Sequence, residues 1–236
     1  MDNINSPVVR FFTHWKNPKG MRVDIDLSLE MFDENFNYIT SLSWHNMDGG
    51  RFVKAYHSGD IVTAPNGASE FIDVNVSEAK AKGVRYMVVS NAVFAGPAYS
   101  EIDECFSGVM FRSSLGKAGS IFDAKTVETK FDLTQKSSKR IVSLAFDTFT
   151  NTLIWLDVPY KGLSFANVSS NYSNSISYIL KKAMGKHMSI YDLVLLHKNH
   201  ITFVDDITKA DYIIDSSSKS LISPYNLELI SKDWID

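Results

Sequence analysis

Acidic residues at two places in this sequence have the types and spacing of a site for a hard cation. Asp24 and Asp26 stand two apart in the run Arg22–Leu29, RVDIDLSL, so an extended backbone sets both carboxylates on one side. The second place is His57–Val76, HSGDIVTAPNGASEFIDVNV, a turn-rich loop that Asp60 opens and Glu70 closes. Between them Pro65, Asn66 and Gly67 bend the chain tightly and turn carbonyls toward a common centre. A fold that lays this loop over the strand end gathers four carboxylates, and like charges that close are costly unless a cation shares them. Oxygen donors alone favour calcium over zinc or copper. The expected ligands are Asp24, Asp26, Asp60 and Glu70, with loop carbonyls near Thr63 and Asn66 completing the shell of one calcium ion. In the competing reading, Asp24 and Asp26 are the solvated face of an edge strand. Asp73, just past the loop, reads as an outward-facing residue or as a fifth ligand.

Other chemistry finds less support. Six histidines are present, none with zinc spacing to a cysteine partner. His57 adjoins the acidic loop, where it reads as a packed, hydrogen-bonding residue before a general base. Cys105, the single cysteine, has no basic neighbour to activate it and reads as a buried thiol; its solitude excludes an intrachain disulfide. No Walker A loop, G-x-G-x-x-G or G-x-S-x-G motif occurs. The chain therefore reads as a non-enzyme. Two alternatives stay open: an enzyme using a metal beside a phosphorylated substrate, which needs Arg22, Arg51 and Lys54 to converge, and a metal-free interaction scaffold.

The elements that must position these residues follow from the pattern. The chain has 236 residues with 44% apolar, 22% charged, fifteen Phe and ten Tyr, which is enough for one large, strand-rich domain with an appendage. A net charge of −3 gives no electrostatic case for nucleic acid. No leader and no membrane-length apolar run is read, so a cytoplasmic, soluble protein is the expectation. Residues 1–20 read as an arm or an edge strand at Val8–Phe12. Val23–Phe32 alternates as a half-buried strand and returns through Asp33–Asn35 into Tyr38–Trp44. A short helix follows Ser77 as N-cap, and Val84–Val93 is apolar enough to be a central strand. Ser107–Arg112, Val127–Asp132, Arg140–Asp147 and Thr152–Val158 complete eight or nine strands of an antiparallel β-sandwich spanning residues 1–160. Residues 161–236 read as a smaller α+β extension: a helix over Ile176–Met184, a second over Ile190–His197, strands at Ile201–Val204 and Tyr212–Ile214, and a Pro224-started helix.

These residues resemble the TerD-type domain of bacterial tellurium-resistance and stress-response proteins. The resemblance runs from Asp24 to Asp157 and is carried by DIDLSL at 24–29, SGD at 58–60, Glu70 with Phe71-Ile72-Asp73, RYMVVSNAV at 85–93 and KFDL at 130–133. A divergent branch with a C-terminal extension is similar through HSGD and APNGASEFID in the loop, YDL at 191–193, and VDD and KAD within 204–211. The resemblance implies a β-sandwich that binds calcium through acidic loops, without catalytic activity. It also implies protein partners in a stress-response assembly that is associated with membranes. In the family's usual loop several aspartates follow the GD pair. Here the interior, IVTAPNGAS, has none, which implies one calcium site rather than two and a lower affinity.

Overall fold

The computed structural model of the protein describes residues 8–116, 124–160, 173–185 and 206–209. The chain divides into two compact units, Met1–Met184 and Gly185–Asp236. Within the second, the turn Ile207–Lys209 is described, capped by Asp206, whose Oδ1 accepts from the Thr208 N–H at 3.0 Å. The sequence-predicted elements at 190–197, 201–204, 212–214 and 225–234 lie outside the described residues.

The first unit runs β1 (Val8–Lys16), β2 (Asp24–Phe32), β3 (Tyr38–Leu42), β4 (Ala55–His57), β5 (Ala68–Asn75), α1 (Val76–Ala81), β6 (Tyr86–Ala95), β7 (Glu104–Arg112), β8 (Val127–Asp132), β9 (Arg140–Asp147), β10 (Thr152–Pro159) and α2 (Ser173–Met184). The ten strands form two five-stranded antiparallel sheets, ordered β4-β5-β1-β7-β8 and β10-β9-β6-β2-β3. This is a mainly β sandwich with a small helical extension. Alternate residues of the central strands fill the space between the sheets: Val9 and Phe11 of β1 meet Leu27, Leu29 and Met31 of β2 and Val89 of β6. α2 buries Ile176 and Leu180 with Phe32, Tyr86 and Val142, so its apolar stripe covers the outer face of the second sheet.

Four expectations need correction. β2 is not half-buried: Asp24, Asp26, Ser28 and Glu30 are buried along with the apolar residues that alternate with them. The N-terminal segment is not an arm or an edge; β1 is the middle strand of its sheet, pairing along its length with β5 and β7. Its run Val8, Val9, Phe11, Phe12 is buried on both faces, which is the pattern of a central strand. The cap of α1 is Asn75, whose Oδ1 accepts from the Glu78 N–H at 2.9 Å, and not Ser77. Asp73 neither faces solvent nor joins the acidic loop. It is fully buried against Arg10, its direct cross-strand partner.

At Gly108 the sheet leaves no room for a side chain. A Cβ there would stand 2.8 Å from Phe12 Cζ and closer still to the Thr129 carbonyl oxygen. Gly108→Ala is therefore expected to destabilise the protein by about 1–3 kcal/mol through overpacking, read as a lower urea midpoint at unchanged slope.

Candidate metal centre

β3 pairs with β2 over Leu29–Phe32 alone, which leaves the Asp24–Leu27 end of β2 as an open edge of its sheet. The chain between β4 and β5 closes that edge. Glu70 reaches across to accept the Leu27 N–H at 3.1 Å with Oε2 and the Ile61 N–H at 2.8 Å with Oε1. His57 completes the match on the same residue: Nδ1 accepts from the Gly59 N–H at 3.1 Å, so the protonated Nε2 donates to the Leu27 carbonyl at 3.1 Å. Both imidazole nitrogens are thereby used, and burial lowers the pKa of His57, which stays neutral and structural. Gly59 follows at φ 105°, a left-handed backbone that glycine adopts without cost and that leads the chain into Asp60.

The far side of the loop is held by Asn17. Its Oδ1 accepts from the N–H groups of Ala64 at 3.0 Å and Val23 at 3.3 Å, and its Nδ2 donates to Thr63 Oγ1 at 2.8 Å. Arg22 adds a third fastening, donating from Nε to the Val62 carbonyl at 2.8 Å and from Nη2 to Asp24 Oδ2 at 2.9 Å. His57 is as the sequence suggests, a hydrogen-bonding residue beside the loop, but nothing in the spacing marks the reach of Asn17 to Ala64, of Arg22 to Val62 or of His57 to Leu27, because only the fold brings those segments near.

This arrangement places Asp24, Asp26 and Asp60 in one group, with one carboxylate oxygen from each lying within 4.8 Å of the others. Asp24 and Asp26 are buried, at 3% and 5% exposure, and Asp60 is exposed. The edge-strand reading of a solvated acidic face is therefore set aside for this pair. Glu70 is not a member of this group and is buried; burial pushes its carboxyl up to about 8, with the two N–H donors opposing the rise and Asp26 and Asp60 adding to it. Asp24 is likewise raised, first by burial and then by Asp60, against the pull of Arg22. Thr63 is exposed, with its hydroxyl on Asn17, and Asn66 is exposed in the Pro65–Asn66 turn. Among the described residues this is the one group of three or more candidate ligands.

The donor set fits a hard divalent ion. Calcium takes oxygens at about 2.3–2.6 Å, so two ligands across one ion stand at most about 5 Å apart. Three oxygens within 4.8 Å of one another meet that limit. Arg22, Arg51 and Lys54 do not share a partner; they pair with Asp24, Asp48 and Glu78 respectively.

A cleft of about 540 Å³ is lined by the loop residues Ile61 and Gly67 together with His14, Ser69, Glu104 and Phe106. There His14 stacks on Phe106 at 4.8 Å between centroids, and its Nδ1 lies 2.9 Å from Ser69 Oγ. Burial lowers the pKa of His14, against the influence of Glu104. Cys105, next in the chain, is buried, and burial raises its thiol to about 12. Alkylation of the native protein at pH 8 is expected to be at least about 10³-fold slower than that of the unfolded chain, by mass spectrometry of iodoacetamide-treated samples. Comparable rates would show that the thiol is reachable.

No protein-family model matches the sequence, and no curated protein is similar to it in sequence. Solved structures share the fold, among them the following two. One is a homologue of the telluride resistance protein TerD from Streptomyces coelicolor A3(2), with TM-score 0.52 and 7% identity over 73% of this chain and 98% of that one. The other is SAV2460, described as a protein of unknown function, with TM-score 0.51 and 11% identity over 73% and 97%. The sandwich thus has the fold seen in that TerD homologue. Among the described residues no helix is long and apolar enough to cross a membrane.

Proposed function

We propose that this protein is a non-enzymatic, cytoplasmic calcium-binding module. It serves a bacterial stress-response system of the tellurium-resistance kind and acts through contacts with other proteins of a membrane-associated assembly. The observation that carries the reading is the convergence of Asp24, Asp26 and Asp60. Their fit to a hard cation and the TerD-type fold support it. When bound, the ion would offset most of the charge of the three carboxylates and stiffen the loop that bears Asp60. The protein's own residues do the rest: Glu70, His57 and Asn17 hold the loop on the β2 edge, so that its order is available as a surface for a partner.

Metal-stripped protein is expected to melt at a higher temperature in millimolar calcium and not in equal magnesium. Saturation at 100 times the dissociation constant adds about 2.7 kcal/mol. Asp60→Asn is expected to weaken calcium binding about tenfold or more, in titration calorimetry, without lowering the melting point of the metal-free protein. Equal affinity in wild type and this variant would count against the site. A specific observation favours a second reading, the metal-free scaffold: the Arg22 guanidinium already supplies one positive charge to Asp24. Under that reading neither ion moves the melting point.

A further inference from the structure

The same guanidinium bears on how the site is regulated, in a role that rests on the calcium reading. Arg22 stands at 57% side-chain exposure while its partner Asp24 stands at 4%, so a partly hydrated cation reaches from the surface onto a buried carboxylate. Its two bonds fall on an oxygen of the acidic group, Asp24 Oδ2, and on a carbonyl of the loop, Val62 O, next but one to Asp60. These are the two kinds of donor that a hard cation takes. Arg22 is also within two residues of Asp24 in the chain, so its charge is present at the site at high effective concentration whatever the solution holds.

We infer that Arg22 is a tethered competitor for the metal. It offsets one negative charge of the acidic group in the ion-free protein and must give up Asp24 and Val62 before a divalent ion is fully held. The consequence is a site tuned to low affinity, which fills only when the free ion concentration rises and whose filling releases Arg22 to the surface. The alternative role for the same contacts is positioning: by holding the Val62 carbonyl, Arg22 would shape the loop for the ion. The two roles predict opposite signs for the loss of the side chain. Competition is a matter of charge, which Lys retains; the two-point hold depends on the planar fork of Arg, which Lys lacks.

The test is calcium titration calorimetry on metal-stripped full-length wild type, Arg22→Gln and Arg22→Lys, at low and at physiological salt, with circular dichroism to verify folding. Arg22→Gln is expected to bind calcium about tenfold tighter than wild type, the gap narrowing with salt, and Arg22→Lys to stay within about threefold of wild type. The metal-free Arg22→Gln protein is expected to melt lower than wild type and to gain a larger calcium-induced rise, which a packing defect would not produce. Unchanged or weaker binding by Arg22→Gln, with wild type still binding, overturns the competitor role and leaves the calcium reading in place. Absence of binding by wild type and both variants overturns the calcium reading itself and this inference with it.

Discussion

Arg10→Ala is expected to destabilise the protein by about 3–5 kcal/mol. Arg10 and Asp73 face each other in register across β1 and β5, and neither side chain is exposed to solvent. The pair is bidentate, Nε to Oδ1 at 2.7 Å and Nη2 to Oδ2 at 2.8 Å. Gly116 closes the arrangement from the loop after β7, its carbonyl accepting from Nη2 and its N–H donating to Asp73 Oδ2, each at 2.7 Å. The guanidinium carbon also lies 3.7 Å from the centroid of the Phe71 ring. Removing Arg10 strands a buried carboxylate and an acceptor together, and that desolvation cost exceeds whatever the intact pair contributes over an apolar one. Chemical denaturation reads the effect directly. The double variant Arg10→Met with Asp73→Leu is expected to recover most of the loss. A single variant within about 1 kcal/mol of wild type would show that the pair is not isolated from water as its burial implies.

The second large effect is one of pH. Metal-stripped protein is expected to lose stability as pH rises from 6.5 to 8, because of Glu70. Its folded pKa, about 8, lies above the ordinary value of 4.5. The folded state therefore keeps a proton that the unfolded chain releases, so the contribution is complete below pH 4.5 and is lost as pH climbs through 8. His14 and His57, both lowered by burial, act with the opposite sign, but only as pH falls below their ordinary 6.5. Above that point Glu70 sets the slope, about 2 kcal/mol between pH 6.5 and 8. Thermal melts across this range, compared with Glu70→Gln, isolate the contribution; the variant is expected to show a flat profile. A bound calcium ion favours the ionised carboxylates around it, so with saturating calcium the decline is expected to vanish and calcium affinity to rise with pH. A metal-free profile that stays flat in wild type would remove Glu70 as its source.

Much of the architecture is legible in the chain itself. The alternation of Val23, Ile25, Leu27, Leu29 and Met31 marks the residues that the β2 segment turns into the core, and the apolar run at 84–93 marks β6 as central, because side-chain period and apolar content are local properties; that the acidic face of β2 is buried as well is not legible there. The same local logic brings out β8, β9 and β10 and sets Asp24 and Asp26 side by side, two residues apart on one strand. What the tertiary structure alone decided is everything that depends on distant segments meeting. It made β1 a central strand, since sheet order is set by which edges pair and not by the pattern of one strand. It turned Asp73 from a candidate ligand into half of a buried ion pair, since its partner lies 63 residues away. It also brought Asp60 to Asp24 and Asp26, through anchors at Asn17, Arg22 and His57 whose roles are hydrogen bonds to backbone groups. Backbone acceptors and donors are the same in every residue, so no sequence pattern announces which side chain will satisfy them; only the open edge of β2, once folded, made that choice.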